Sequence, residues 1–190
     1  ISGVTETFSR NLIAFSSDGV VKKIHESSEN DYTCLDEVLQ FNLPSSDVVQ
    51  NGLTAANSSN ITQNLYLGDK FGQLYILKLE NEKLYSVQFQ TKAHSSTVND
   101  ITYFEVENFE FICSVARDRM IQIFYKSPQS NWEILQTIPT HTGNLLKVEY
   151  KDSKVFVCST DRTVSIHNVA IGEDGSVKVQ QEKIITFKNS

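Results

Sequence analysis

The stretch "FICSVARDRMIQIFY", residues 111–125, decides how the rest of the chain is interpreted. Apolar side chains alternate before and after the polar break "ARDR", a pattern that predicts two buried strands joined by a tight turn. A second copy of the design, "VFVCSTDRTVSIHNV", occupies residues 155–169 and places Asp161 where the first copy has Asp118. The stretch is therefore one unit of a repeat.

The repeat extends over the whole chain. Four tight-turn positions align at separations of 53, 47 and 43 residues, and they are Asp18, Phe71, Asp118 and Asp161. Between them the sequence is nearly all short, alternating apolar runs, with no convincing helix. A period of about 40 to 50 residues with about four strands per unit is typical of a β-propeller. The predicted units are residues 1–45, 46–92, 93–139 and 140–190.

Composition and charge narrow the functional classes. The chain has 190 residues, 39% of them hydrophobic, as expected of a globular protein. Its net charge is −6 and its 17 basic residues are scattered, so direct binding of nucleic acid is not expected. No apolar run approaches the ~20 residues of a membrane span, and residues 1–20 lack a signal-peptide pattern. We expect an intracellular protein, cytoplasmic or nuclear, with no membrane partner.

Cysteine usage agrees with that location. The three cysteines are an odd number, and Cys113 and Cys158 lie inside predicted strands, whereas Cys34 lies nearer the start of the chain. Small buried thiols of this kind suit a reducing compartment. We expect all three to be free thiols.

Two units also share a segment before their first strand. "AHSSTVNDITY" from residue 93 and "THTGNLLKVEY" from residue 140 both contain His, then apolar residues and Tyr at equal spacing. We call residues 93–97 and 140–144 the leading loops of their units. The leading loop, the Asp-containing turn and the aromatic-ended strand resemble the WD40 repeat. The resemblance implies an all-β, WD40-type β-propeller segment of about four four-stranded blades that belongs to a larger ring.

The WD40 resemblance also implies a structural role for the histidines. In that family the leading-loop His, a strand Ser or Thr, the turn Asp and a Trp form a hydrogen-bonded tetrad. Carried over to this chain, the tetrad positions are His94, Ala116, Asp118 and Phe124 in the third unit, and His141, Ser159, Asp161 and His167 in the fourth. Because Ala116 has no hydroxyl and Phe124 no ring N–H, we expect the third unit to keep a His94–Asp118 contact at most.

A candidate partner face follows from the same resemblance. In WD40 proteins the loops before the first strand and between the second and third strands of each blade gather on one face. The corresponding residues here are Ser95, Thr97, Arg117, Arg119, Thr142, Asn144, Thr160 and Arg162.

A narrower resemblance concerns the middle of the chain. The succession "YLGDKFGQLYILKL", "AHSSTVNDITYF" and "SVARDRMIQIFY" is similar to blades of the large mitogen-activated-protein-kinase-binding WD-repeat scaffolds. It implies a scaffold for signalling or cell-division assemblies.

The expected function is therefore a non-catalytic scaffold for protein–protein interaction, with other proteins as partners and no catalytic, metal or cofactor site. A hydrolytic interpretation of the His, Asp and Ser residues lacks a Gly-x-Ser-x-Gly elbow, and the four histidines lack metal-ligand spacing. Two alternatives stay open. The loop face could read peptides or phosphopeptides through Arg117 and Arg119, or the chain could be an accessory domain of an enzyme complex. "KSPQ", from Lys126, could be a phosphorylated Ser-Pro site or a plain loop.

Four units alone would leave a WD40-type ring unclosed. We therefore expect further blades from the parent chain, from another subunit or from a second copy, because each blade packs its apolar faces on two neighbours. The apolar residues expected on the uncovered face of the last unit are Val177, Val179, Ile184 and Ile185.

Overall fold

The structure, a computed structural model, describes residues 3–6, 12–16, 21–26, 32–38, 40–42, 52–59, 61–80 and 84–188. All regular secondary structure in these residues is β-strand, so the all-β prediction is confirmed. Seventeen strands occur in the described ranges, and they form four sheets. The chain divides into two compact units, residues 1–93 (unit 1) and 94–190 (unit 2). Within the described part, no helix has the length and apolar character needed to cross a membrane.

Unit 1 contains two sheets built from consecutive strands. Sheet 1 has the order β1-β2-β3-β4, and sheet 2 has the order β5-β9-β8-β7-β6; all pairs are antiparallel except β5 with β9. The boundary predicted between residues 45 and 46, and the turn at Asp18, lie outside the described residues. The strands are β1 Gly3–Glu6, β2 Leu12–Phe15, β3 Val21–Glu26, β4 Tyr32–Val38, β5 Gln40–Asn42, β6 Leu53–Ser58, β7 Asn64–Asp69, β8 Gln73–Leu79 and β9 Leu84–Lys92.

Unit 2 contains two four-stranded antiparallel sheets in simple sequence order, β10 to β13 in sheet 3 and β14 to β17 in sheet 4. Short turns connect consecutive strands, so each sheet is a series of antiparallel hairpins. The strands are β10 Val98–Val106, β11 Phe109–Ala116, β12 Ile121–Lys126, β13 Glu133–Ile138, β14 Leu145–Lys151, β15 Lys154–Ser159, β16 Thr163–Ile171 and β17 Val177–Thr186.

Sheets 2, 3 and 4 repeat one local geometry. In each, the tight turn between the second and third long strands donates a backbone N–H to a carbonyl just before the first. The three bonds are Lys70 N to Gly52 O, Arg117 N to Thr97 O, and Thr160 N to Asn144 O, at 2.9–3.0 Å. The first strand of each sheet then has an irregular register, between Leu53 and Ala55, Val98 and Asp100, and Leu145 and Lys147. The repeat in the sequence is thus a repeat in backbone structure.

Alternating apolar residues give each unit its own core. In unit 1, β2 of sheet 1 and β6 to β8 of sheet 2 supply the buried residues Ile13, Phe15, Leu53, Leu65, Leu67, Tyr75 and Leu77. In unit 2 the core spans both sheets, where the ring of Phe104 stacks on Tyr150 at 3.9 Å and on Phe111 at 5.1 Å. Strand periodicity of two places these side chains on the inner faces.

The first strands of sheets 3 and 4 lie side by side at their beginnings. Asp100 accepts a hydrogen bond from Val148 N at 3.0 Å and pairs with Lys147 Nζ at 3.3 Å. The side-chain amide of Asn99 donates to Leu145 O. Because β10 and β14 start together, the tight turns of both sheets lie at the same end of unit 2.

One expectation about the last strand is wrong. Val179 is buried in the core of unit 2, with 6% of its surface exposed, and Val177 packs against that core instead of lying on an uncovered face. Both pair with the C-terminal end of β16, Val177 with Ile171 and Val179 with Val169. Ile184 and Ile185, at the other end of β17, are exposed at 41% and 37%.

Candidate functional site

A buried hydrogen-bond network lies beneath the tight turn of sheet 3. His94, just before β10, approaches Asp118 through Nδ1 at 3.1 Å and Ser114 Oγ through Nε2 at 2.8 Å. Asp118 also accepts the backbone N–H groups of Ser95 at 2.9 Å and Met120 at 3.1 Å. His94 and Ser114 are buried. The network therefore fixes the leading loop to the turn between β11 and β12.

Ser114 corrects the sequence-based expectation for this unit. The WD40 resemblance predicts no hydroxyl here, because Ala116 occupies the assigned position, but Ser114, two residues earlier on the same strand face, supplies one. Ala116 is buried beside the turn and pairs with Val98. A sequence signal did exist, since Ser114 is the one hydroxyl side chain inside the continuous buried run 111–116.

Sheet 4 has a longer network. Thr163 Oγ1 donates to Asp161 Oδ1 and lies 2.8 Å from His141 Nδ1. His141 Nε2 lies 2.8 Å from Ser165 Oγ, which in turn lies 2.9 Å from His167 Nε2. His141, Ser165 and His167 are buried. Five side chains thus form a continuous series from the turn to the interior of β16.

The chemistry of each group sets the direction of every bond in that series. A carboxylate only accepts, so the Thr163 hydroxyl donates to Asp161 and must accept from His141 Nδ1–H. With its ring proton on Nδ1, His141 accepts at Nε2 from the Ser165 hydroxyl, and the Ser165 oxygen accepts from His167 Nε2–H. His167 Nδ1 is left as a bare acceptor, and it has no hydrogen-bond partner in the described structure.

Ser159 has a different place from the one that the WD40 resemblance implied. Its buried hydroxyl accepts Asp161 N–H at 3.2 Å, within the turn, while Ser165 bonds His141. Ser165 pairs across the sheet with Val157, and Ser114 of sheet 3 pairs with Gln122. The two serines therefore belong to the equivalent cross-strand pair in each sheet, but Ser114 lies on the second strand of sheet 3 and Ser165 on the third strand of sheet 4.

Sheet 2 has a carboxylate that sequence reasoning missed. Asp69 is fully buried, and its Oδ1 accepts the N–H groups of Phe71 at 2.8 Å and Gln73 at 2.9 Å. Tyr75 donates its hydroxyl to Asp69 Oδ2 at 3.1 Å. Asp69 lies two residues before Phe71, the turn position that aligns with Asp118 and Asp161. An alignment on Phe71 therefore does not identify Asp69 as the carboxylate that closes this turn.

The networks shift the ionisation of their members. Burial raises the pKa of Asp118, but the hydrogen bond and charge of His94 and the N–H groups of Ser95 and Met120 outweigh burial and hold the pKa below its ordinary value. Burial likewise raises the pKa of Asp161, and hydrogen bonds led by the Thr163 hydroxyl hold it well below the ordinary value.

His167 responds in the opposite sense. Burial, and secondarily the positive charge that His141 can carry, lower the pKa of His167 to about 4. The ring is therefore neutral at physiological pH and offers a proton only from Nε2.

The predicted partner residues lie together at the turn end of unit 2. Backbone bonds tie Arg117 to Thr97 and Thr160 to Asn144, and the side-by-side starts of β10 and β14 bring both sets to one end. All eight side chains are exposed except Thr97, which is half-buried. We call this surface the loop face: Ser95, Thr97, Arg117 and Arg119 of sheet 3 with Thr142, Asn144, Thr160 and Arg162 of sheet 4.

Two arginines of the loop face have an unusual backbone. Arg119 has a φ of 69° and Arg162 a φ of 67°, in the turn position that Gly72 occupies in sheet 2 with a φ of 87°. Left-handed backbone costs a non-glycine residue roughly 1–3 kcal/mol. Among the described residues, the guanidinium groups of Arg117, Arg119 and Arg162 have no ion-pair partner.

Comparison with models of known protein families and with curated proteins finds no match to this chain.

Proposed function

We propose that the protein is a non-catalytic scaffold for protein–protein interaction, in an assembly of the signalling or cell-division type, and that its loop face binds the partner. The proposal rests on one observation: some polar side chains at this end of unit 2 are hydrogen-bonded within the protein, and others are not. The histidines and aspartates form internal hydrogen bonds. The guanidinium groups of Arg117, Arg119 and Arg162 form no ion pair with another described residue. Exposed polar groups without internal partners are available to another molecule.

The buried networks support a structural role over a catalytic one. A serine nucleophile must touch its substrate, yet Ser114 and Ser165 have no exposed surface and their histidine partners are also buried. Asp118 and Asp161 each accept backbone N–H groups that close their turns. The constellation resembles a triad in composition, but it serves to hold loops in place.

We further propose that the four sheets are blades of a WD40-type β-propeller that other blades complete. Support comes from sheets 2, 3 and 4, which share the turn bond, the bulge in the first strand, and a second register irregularity at Ile76/Leu77, Ile123/Phe124 and Ile166/His167. Such coincidence in three elements is the mark of a structural repeat.

A pair of bulky, uncharged substitutions tests the loop face as a binding surface. Thr160→Trp adds a large ring to the exposed turn of sheet 4, and Glu173→Trp adds the same ring to the exposed turn at the opposite end of that sheet. The immobilised chain and both variants are incubated with cell extract, and retained proteins are quantified by mass spectrometry.

We expect Thr160→Trp to lose a set of proteins that the unmodified chain and Glu173→Trp both retain. Circular dichroism of each variant checks that the strands are intact. Identical retention by all three chains would exclude the loop face as the binding surface.

A further inference from the structure

We propose that the loop face recognises an acidic segment of a partner protein, with Arg117, Arg119 and Arg162 as the contacts to its carboxylate or phosphate groups. This inference rests on the proposed function and specifies the chemistry of the partner. It follows from three independent features: local charge, backbone conformation and a neighbouring apolar side chain.

Local charge at the loop face is opposite to that of the whole chain. The chain carries a net charge of −6, yet the two turns of the loop face hold three arginines against two aspartates, Asp118 and Asp161, whose oxygens accept hydrogen bonds from backbone N–H groups and from His94 or Thr163 instead of from the arginines. The three guanidinium groups therefore have no ion-pair partner in the described structure. A guanidinium binds carboxylate or phosphate through two parallel hydrogen bonds.

The backbone conformation of Arg119 and Arg162 indicates that these two residues have a role other than stabilising the turn. The left-handed turn position holds Gly72 in sheet 2, and the sequence has Gly19 after Asp18 at the corresponding place in the first repeat. Sheets 3 and 4 instead place Arg119 and Arg162 there, although glycine adopts this backbone without a side-chain penalty. Residues in unfavourable backbone regions concentrate at binding sites.

An exposed aromatic residue is hydrogen-bonded through its backbone to one of these arginines. Phe187 donates its N–H to Arg162 O at 2.9 Å, and 60% of the Phe187 surface is exposed. The hydroxyls of Ser95 and Thr160 are also exposed on the loop face. A partner segment with acidic residues and one apolar side chain fits this combination, whereas a nucleic acid backbone needs a longer stripe of basic residues than three arginines supply.

The test measures binding of defined probes to the full 190-residue chain. The first probe is a fluorescein-labelled octapeptide that alternates glutamate and glycine around one central leucine; eight extended residues span roughly 26–29 Å. The second replaces two glutamates with phosphoserine, the third replaces every glutamate with lysine, and the fourth is oligouridine. Fluorescence anisotropy is recorded in low-salt buffer and again after addition of salt.

Two double variants separate the loop face from general charge. Arg119→Gly/Arg162→Gly removes two positive charges from the loop face, and Lys151→Gln/Lys178→Gln removes two from the opposite end of sheet 4, where both lysines are exposed. We expect the arginine variant to bind the acidic probes about tenfold more weakly or worse, and the lysine variant to bind as the unmodified chain does. Comparison of the glutamate and phosphoserine probes identifies which anion is preferred.

Stability distinguishes loss of contact from loss of fold. Because glycine suits the left-handed turn, we expect the melting temperature of the arginine variant to equal or exceed that of the unmodified chain. Binding that falls while stability does not is the result that supports the proposal.

Three results would overturn it: no binding of either acidic probe in low salt, equal weakening by the lysine variant, or tighter binding of oligouridine. If the acidic probes fail while Thr160→Trp still removes captured partners, the loop face binds proteins through another chemistry. If both fail, the loop face is not a binding surface.

Discussion

His94 bonds the hydroxyl of Ser114, and His141 bonds the hydroxyl of Ser165. The two serines belong to equivalent cross-strand pairs of their sheets, but they lie on opposite strands of those pairs. A buried imidazole nitrogen without a partner costs free energy, and a hydroxyl on either strand can serve as that partner. This is why residue-by-residue transfer of a family pattern failed at Ala116, while the underlying requirement for a hydroxyl was met.

The network of sheet 3 predicts that its aspartate contributes as much to stability as the aspartate of sheet 4 does. Asp118→Ala leaves His94 Nδ1–H and the N–H groups of Ser95 and Met120 without their acceptor. Asp161→Ala does the same to Thr142, Gly143 and Thr163. Each substitution should cost roughly 1–3 kcal/mol, and the two losses should be similar.

Chemical denaturation at neutral pH measures both losses, with Asp174→Ala as the matched control. Asp174 is an exposed turn residue that accepts one N–H, from Ser176, so its removal should change stability little. Both network aspartates have folded pKa values below 3.8, so their contribution is present above that pH and is lost as the pH falls through the folded values. Losses for the two variants no larger than for Asp174→Ala would show that the networks do not stabilise the fold.

His167 gives the molecule a specific pH dependence. Its folded pKa is about 4 against 6.5 for an unperturbed ring, so between these pH values the unfolded chain binds a proton that the folded chain does not. Stability must therefore fall as the pH drops from 6.5 to 4, by up to roughly 1.4 kcal/mol per pH unit. His167→Phe, which copies Phe124 of sheet 3, should flatten this part of the pH profile.

Urea denaturation at half-unit pH steps measures the slope, and nitrogen NMR shifts report the His167 tautomer, which should carry its proton on Nε2. A variant with an unchanged slope between pH 4 and 6.5 would mean that other groups control acid stability in this range.

At the scale of the element, the tight turn of sheet 4 depends on close approach of the leading loop. A Cβ on Gly143 would lie 2.5 Å from Thr160 Oγ1 and 2.6 Å from the backbone nitrogen of Asp161. The hydroxyl could rotate away, but the backbone atom could not without moving the turn. Gly143→Ala should therefore destabilise the protein by roughly 1–3 kcal/mol.

Ser96→Ala is the matched control, because Ser96 holds the corresponding position in the leading loop of sheet 3 and already carries a Cβ. Thermal unfolding compares the two variants with the unmodified chain. Equal melting temperatures for all three would indicate that the leading loop of sheet 4 has room to move from the turn.

The elements show how far sequence reasoning reached. Strand periodicity and the spacing of the turns predicted an all-β chain, and that prediction holds because burial on alternate positions is a local property. Asp69 and Ser165 could not be identified in this way, because Asp69 lies two residues before the aligned turn position and Ser165 bonds His141, a leading-loop residue 24 positions earlier in the chain. The prediction for Val179 was wrong because its burial depends on sheet packing.

At the scale of the whole molecule, unit 2 is polar at its loop face and apolar along one edge. β17 is ten residues long, and it forms the last strand of sheet 4. Long edge strands with apolar side chains attract other strands unless charges protect them. Lys178, Glu182 and Lys183 protect part of β17, whereas Ile184, Ile185 and Phe187 remain exposed near the loop face.

An exposed apolar edge strand of this kind should make the isolated chain associate, because burial of exposed apolar surface is favourable. Sedimentation velocity at increasing concentration should therefore show species larger than the 21.5 kDa monomer. Ile184→Lys/Ile185→Lys should restore the monomer, since lysine on an edge strand opposes pairing. Gln180→Lys/Gln181→Lys adds the same charge to exposed polar positions of β17 and should have a smaller effect. A monomer at every concentration of the unmodified chain would show that β17 does not pair with another copy.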